Sequence, residues 1–146
     1  MKPDATPTGG IPPVAHAAAE ADEQAPDGSD IRLLLGRGHG ATRASVCEAR
    51  LPAGQVARPI RHQTVEELWY ILEGTGEIWR CPPGADDAPA LPVGPGDALA
   101  IPMGWRFQFR ASPTGPLRFL CLTVPPWPGD QEAAPAASGG LGPPTV

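Results

Sequence analysis

Prolines and glycines interrupt this chain so often that long helices are excluded. The 146 residues include 21 prolines and 18 glycines, and they are spread through the sequence. Proline removes a backbone hydrogen-bond donor and clashes with the preceding helical turn, and both residue types mark turns. The segments between them are short runs of apolar and β-branched residues. That pattern is typical of an all-β sandwich or barrel.

The strands are predicted from these runs and from the turn residues that bound them. Gly74, Thr75 and Gly76 would turn one strand back on the next as a hairpin, and residues 94–97 read Gly-Pro-Gly-Asp, a tight turn. The predicted strands are residues 31–35, 43–51, 55–60, 68–72, 77–81, 98–101, 107–111 and 117–124.

The two ends of the chain differ in composition from the middle. They are rich in Ala, Pro, Gly and acidic residues. They carry too little apolar side chain to offset the cost of ordering a backbone, about 1–2 kcal/mol per residue. We therefore predict a flexible Ala/Pro-rich arm at 1–28, a single β-barrel domain at 29–127 and a flexible tail at 128–146. A chain of this length leaves little room for a second core.

The net charge and the cysteines limit which binding partners and which cellular compartment are expected. The net charge is −5 and no basic run occurs, which argues against nucleic acid as a partner. No apolar run is long enough for a membrane span and no signal pattern precedes the domain, so we expect a cytoplasmic protein with no membrane partner. Cys47, Cys81 and Cys121 are isolated from one another in sequence, which favours buried, unpaired thiols.

The segment from Gly54 to Gly74 resembles the first sequence motif of the cupin superfamily. That motif places a glycine, a His-x-His pair, a glutamate and a second glycine in order. Gly54, His62, Glu67 and Gly74 occupy matching positions, whereas Ile60 stands where the first histidine is expected.

The segment from Gly96 to Ala111 resembles the second motif of the same superfamily. Gly96, Pro102 and Gly104 match its glycine and its Pro-x-Gly, but Phe107 and Ala111 replace its histidine and asparagine. The stretches 62–70, 107–110 and 125–130 are also similar to those of a group of small bacterial cupins. The resemblance implies a single-domain cupin, that is, a double-stranded β-helix or jelly-roll barrel.

The resemblance also implies a metal position, and the substitutions weaken it. A typical cupin holds an ion such as Fe, Mn or Zn with three histidines and a glutamate. Here only His62 and Glu67 remain, and catalytic zinc and mononuclear iron normally keep three protein ligands. We therefore expect no cofactor, with a divalent metal held by His62 and Glu67 as the alternative.

The alternation of side chains along a strand indicates which residues share a face with His62 and which share a face with Glu67. It places Arg58 and Ile60 on the face of His62, and Trp69 and Ile71 on the face of Glu67. We predict His62 and Glu67 as catalytic residues, because a coupled imidazole and carboxyl can act as general acid and base near neutral pH. The structural alternative is that His62 braces the barrel mouth. The predicted substrate-binding residues are Arg58, as an anion anchor, with Ile60, Trp69, Ile71, Phe107 and Phe109.

These residues predict a small-molecule-binding cupin. The favoured function is an enzyme of bacterial secondary metabolism that transfers protons, as an isomerase, cyclase or lyase. One alternative is a non-catalytic protein that binds or senses a metabolite, and another is a metal-dependent enzyme with a reduced ligand set. We expect Trp127, which lies between prolines, to cover an opening or to reach a partner subunit. We also expect a homodimer, because exposed sheet edges favour strand pairing between copies.

Overall fold

The computed structural model of the protein describes residues 10–146, so the first nine residues of the predicted N-terminal arm lie outside the described residues. The described part is almost entirely β-structure, with two single-turn 3-10 helices at Arg37–His39 and Asp130–Glu132. The strands are β1 Glu23–Gln24, β2 Asp30–Leu35, β3 Ser45–Leu51, β4 Ile60–His62, β5 Glu66–Glu73, β6 Gly76–Cys81, β7 Ala90–Val93, β8 Ala98–Ile101, β9 Arg106–Ala111, β10 Leu117–Val124 and β11 Ala133–Pro135.

The strands form two antiparallel sheets with the core between them. One sheet has the order β1-β2-β3-β10-β5-β8 and the other β11-β4-β9-β6-β7. The side chains of β5 and β10 alternate between buried and more exposed positions, as expected for strands with one face on a core. The indole of Trp69 stacks on Phe119, with ring centroids 3.9 Å apart, and meets Phe109 edge-on at 5.0 Å. The predicted all-β, single-domain barrel is confirmed.

The sequence patterns place most strands correctly and misjudge one. Residues 55–59 do not form a strand, because Pro52 and Pro59 lack an amide donor and Gly54 takes a positive φ of 74°, and only Ile60 of the predicted strand belongs to β4. This segment makes only an isolated bridge from Val56 to Arg110. Strands β1, β7 and β11 are additions to the predicted set. Strand β7 contains a proline, which is tolerated because β7 lies at a sheet edge.

Gly74 shows why the motif requires a glycine at the end of β5. Its φ is +82°, and a Cβ atom there would lie 1.9 Å from the carbonyl oxygen of Pro116. Only glycine combines this left-handed conformation with so close an approach of another backbone. The residue therefore fixes the β5–β6 hairpin against the loop that precedes β10.

Strand β11 and the helical turn before it lie inside the segment predicted as a flexible tail. Strand β11 pairs with β4, so that Ala133 lies opposite His62. Strand β1 lies inside the predicted N-terminal arm and pairs with β2. The flexibility of the two segments and the domain limits at 29 and 127 stay predictions.

Glu132 ties the tail to the turn between β4 and β5. Its carboxylate accepts hydrogen bonds from the amides of Thr64 and Val65 and from the Thr64 hydroxyl, the last two at 2.8 Å. Burial of Glu132 raises its pKa, but the bonds from Thr64 and Val65 outweigh this effect and lower the pKa below its ordinary value. The turn that separates His62 from Glu67 is thus fixed by a residue far along the chain.

We expect Glu132→Gln to destabilise the fold by about 1–3 kcal/mol, because an amide accepts these hydrogen bonds less strongly than a carboxylate. Since the folded-state pKa of Glu132 is lowered, its contribution is present above its ordinary pKa of 4.5 and is lost as the pH falls through the folded-state value. Urea unfolding of both proteins at neutral and acid pH measures the difference. Glu66→Gln, at an exposed position of β5, is the matched control, and an equal loss in both variants would contradict the assignment.

Candidate functional site

A small cavity lies between the sheets, where β4 and β5 meet the chain segments that precede β2 and follow β10. Its volume is about 30 Å³, room for one or two water molecules. Its walls are mainly aliphatic and aromatic, with two cysteines. Its polar side chains are Asp27, Ser29, His62 and Glu67.

The pair predicted as catalytic meets at the wall of this cavity. His62 ends β4 and Glu67 is the second residue of β5, so the short turn between them brings both side chains to the interior. The Nε2 atom of His62 lies 2.7 Å from Oε2 of Glu67. Only 3% of His62 and 7% of Glu67 is exposed. Both side chains therefore face the interior of the barrel.

The second carboxylate oxygen of Glu67 is also engaged. The indole Nε1 of Trp69 donates to Oε1 of Glu67 at 2.9 Å. The two residues stand two positions apart on β5 and share one face of the sheet. Glu67 is thus held from both sides, and its orientation toward His62 does not depend on a ligand.

The carboxylate controls the charge of the imidazole. Burial lowers the pKa of His62, but the hydrogen bond and the negative charge of Glu67 raise it, with smaller contributions from the charges of Asp27 and Glu132. The balance leaves the pKa of His62 above its ordinary value of 6.5. A larger share of His62 is therefore imidazolium near neutral pH than for a solvated histidine.

The other ring nitrogen of His62 is available for chemistry. Its Nδ1 atom is buried and has no hydrogen-bond partner among residues 10–146. The ring lies between Phe107, at 5.3 Å, and the edge-on indole of Trp127, at 5.1 Å between centroids. Because Nε2 is occupied by Glu67, Nδ1 is the atom that can exchange a proton with a bound molecule.

Asp27 is a second acid at the cavity that the sequence-based prediction missed. It is 8% exposed, and its Oδ1 accepts hydrogen bonds from the amide and hydroxyl of Ser29 at 2.8 and 2.6 Å. Residues 26–29 read Pro-Asp-Gly-Ser, a turn signature that could have identified an ordered turn inside the predicted arm. Trp127, expected to cover an opening or to reach a partner subunit, also lines the cavity and belongs with the site residues.

Cys47 and Cys121 face each other across β3 and β10 and also line the cavity. Both are buried and free. A hydrogen bond with Cys47, together with burial, raises the pKa of Cys121 well above its ordinary value. The Cys121 thiol therefore stays protonated, and in this state it is an apolar wall rather than a nucleophile.

The predicted substrate-binding residues fall into three groups. Ile60 and Trp69 line the cavity, whereas Ile71, Phe107 and Phe109 lie in the surrounding core. Arg58 is exposed, and its Nε donates to the carbonyl of Val146 at 2.9 Å. The alternation of side chains along a strand does not apply to Arg58, because β4 begins only at Ile60, after Pro59.

The residues at this site do not fit the metal-ligand set that the resemblance implies. Ile60 and Phe107 occupy two of the four ligand positions and lie opposite each other in the register of β4 and β9. Neither offers a donor atom. The two remaining groups, His62 and Glu67, bond to each other. Within residues 10–146, no group of three or more His, Cys, Asp or Glu side chains is arranged to hold a metal ion.

Comparison with known proteins agrees with the barrel and its motifs. Residues 47–123, more than half of the chain, match the family described as "Cupin domain". No curated protein matches the sequence. No helix within residues 10–146 has the length and hydropathy needed to cross a membrane.

Many solved structures share this fold. One is a predicted oxalate decarboxylase of Thermotoga maritima, 18% identical, with a TM-score of 0.61 over 77% of this chain and 98% of that one. Another is a variant of the oxalate decarboxylase of Bacillus subtilis, 16% identical, with a TM-score of 0.71 over 89% of this chain but 34% of that one. A cupin protein from Bacteroides fragilis is 28% identical, with a TM-score of 0.54 over 70% of this chain and 80% of that one.

We expect Glu67→Gln to lower the pKa of His62, because the burial that lowers it is then opposed only by the smaller contributions of Asp27 and Glu132. NMR titration of the imidazole measures this: wild-type His62 should titrate above 6.5 and the variant below the wild-type value. The stabilisation from protonated His62 is fully present below pH 6.5 and is lost as the pH rises through the raised folded-state pKa. His16 and His39 serve as internal controls, and an unchanged His62 titration would contradict the coupling.

Proposed function

Because the chain belongs to the cupin family, we propose that it is a small-molecule-binding enzyme that moves protons on an organic substrate. The observation that carries this proposal is the buried His62–Glu67 hydrogen bond of 2.7 Å at the wall of an apolar cavity. The reaction classes that use such a pair are isomerisation, cyclisation and elimination of the lyase type.

The proposed chemistry centres on Nδ1 of His62. The imidazolium donates a proton from Nδ1 to the substrate, and the neutral ring can then accept a proton from a second position. Glu67 holds Nε2 and stabilises the charged ring, while Trp69 holds Glu67. A positioned group of this kind contributes about 10²–10⁴-fold to a rate. No step uses a metal ion.

Entry of a substrate requires movement of the cavity cover. A volume of about 30 Å³ admits water but no organic substrate of ordinary size. The cavity wall includes Pro26 and Asp27 from the N-terminal segment and Trp127 from the segment after β10, and these residues are the proposed cover. We propose that these segments open and close over the site. Closure would exclude water and strengthen every electrostatic interaction inside.

A second candidate function is non-catalytic binding or sensing of a small molecule. It is favoured by the small volume of the cavity and by the bonding of both Glu67 oxygens within the protein. Both candidates need the same pocket, but only the enzyme needs proton exchange. The expected cytoplasmic location, the homodimer, and the absence of nucleic-acid and membrane partners stay predictions under either function.

Deuterium exchange distinguishes the two functions even while the substrate is unidentified. We expect wild-type protein, incubated in D₂O with a bacterial metabolite extract, to introduce deuterium into one or a few compounds, detected by untargeted mass spectrometry. Glu67→Gln and His62→Gln should slow this exchange about 100-fold or more, because they remove the positioned proton carrier.

The control is Glu66→Gln, which makes the same change at the exposed neighbour of Glu67. It should exchange at the wild-type rate. A compound that co-purifies with the protein but gains no deuterium would support binding alone. Exchange that survives in both His62→Gln and Glu67→Gln would refute the proposed pair.

A further inference from the structure

The charged groups at the cavity are unbalanced in favour of acid. Asp27 and Glu67 both line it, and neither Lys nor Arg is among the described residues of its wall. The one group of this wall that can carry a positive charge is His62, and its charge is already paired with Glu67. The described wall offers Asp27 no such partner.

The basic residue adjoining this wall is turned away from it. Arg58 directs Nε to the carbonyl of Val146 at 2.9 Å and Nη1 to the carbonyl of Pro26 at 3.5 Å. Its side chain is exposed. The guanidinium therefore braces the terminal segments from outside and leaves the carboxyl of Asp27 uncompensated.

Burial raises the pKa of Asp27, the two hydrogen bonds from Ser29 lower it, and the charges of Glu67 and His62 act in opposite directions. The net rise is what a buried carboxyl without a basic partner should show. An anion placed beside Asp27 would add a further unfavourable charge to the same small space.

Two buried donor or acceptor atoms at the wall point to a ligand. Neither Nδ1 of His62 nor Nε1 of Trp127 has a hydrogen-bond partner among residues 10–146, and both residues are more than nine-tenths buried. An indole N–H can only donate, so a ligand must offer it an acceptor. Buried polar atoms without a partner are costly, and a polar ligand would satisfy them.

We propose that this cavity selects molecules that carry no negative charge on the part that enters it, and that Asp27 is the specificity-determining residue. A neutral amide or alcohol fits, because its oxygen can accept from the Trp127 indole, whereas a carboxylate or phosphate does not fit. This inference rests on the proposed small-molecule function. It also replaces the predicted anion anchor at Arg58 with a selection of opposite sign.

The test uses two planar molecules of nearly equal size, acetate and acetamide, both of which offer an oxygen acceptor to the Trp127 indole. Their binding is measured by NMR from the Trp127 indole and His62 imidazole signals of the full-length protein. We expect acetamide to bind about tenfold or more tighter than acetate, because acetate brings a negative charge beside Asp27.

Asp27→Asn tests the residue itself. The amide oxygen can still accept from Ser29, so the turn is kept while the charge is lost. We expect the ratio of acetamide to acetate affinity to fall at least about threefold. Asp30→Asn, three residues on in β2 and outside the cavity wall, is the matched control and should keep the wild-type ratio. Thermal melting of both variants checks that they fold.

Each outcome decides the inference. Acetate binding as tightly as acetamide, an unchanged ratio in Asp27→Asn, or no shift with either molecule would overturn it. The deuterium experiment is independent: loss of proton exchange with the charge preference intact would end the proposed catalysis and leave the specificity standing. If acetate bound more tightly while proton exchange remained intact, the specificity would be ruled out and the proposed catalysis would stand.

Discussion

The hydrogen bond between His62 and Glu67 is the interaction on which the rest of this structure depends. Removing an imidazole and a carboxylate from water costs several kcal/mol per ion, which only close pairing and further hydrogen bonds can offset. The Trp69 indole supplies one such bond. The geometry of the pair is set by the β4–β5 turn, and Glu132 fixes that turn from a segment far along the chain. Residues distant in sequence therefore maintain the buried contact between His62 and Glu67.

Two apolar residues explain why His62 and Glu67 bond to each other. Ile60 and Phe107 lie opposite each other in β4 and β9, at positions where the resemblance leads one to expect histidines. Without those two imidazoles, the site lacks donors for an ion that could balance the carboxylate of Glu67. The imidazole of His62 supplies the compensating positive charge instead, so its Nε2 turns to Glu67 and its pKa rises. With donor atoms absent at two positions, the remaining histidine is paired with Glu67 rather than with further metal ligands, as the proposed role of a proton carrier requires.

The sequence predicted the barrel and this pair because both rest on local signals. Turn residues bound the strands, and alternation within β5 sets Glu67 and Trp69 on one face. The same rule failed at Arg58, where a proline separates the residue from the strand and alternation does not extend. Asp27 and Glu132 could not be placed by composition. Each is buried by contacts with residues far away in the sequence, and an Ala/Pro-rich segment gives no signal of what it packs against. The Pro-Asp-Gly-Ser turn around Asp27 was visible, but the partner of that turn was not.

Asp27 lies in a turn outside the barrel strands, and this turn contacts the C-terminal residues. The turn that carries it packs on the far end of the chain: Gly28 has a φ of +93°, and a Cβ atom there would lie 2.4 Å from a side-chain carbon of Val146. Arg58 joins the same two segments by bonding the carbonyls of Pro26 and Val146. The N-terminal turn and the C-terminal residues are therefore coupled, so displacing one disturbs the packing of the other. Under the proposed opening, a molecule that displaces the Asp27 turn would also loosen the C-terminal residues. Access and the proposed charge selection would then reside in one element, which can vary in sequence without altering the strands that hold His62 and Glu67.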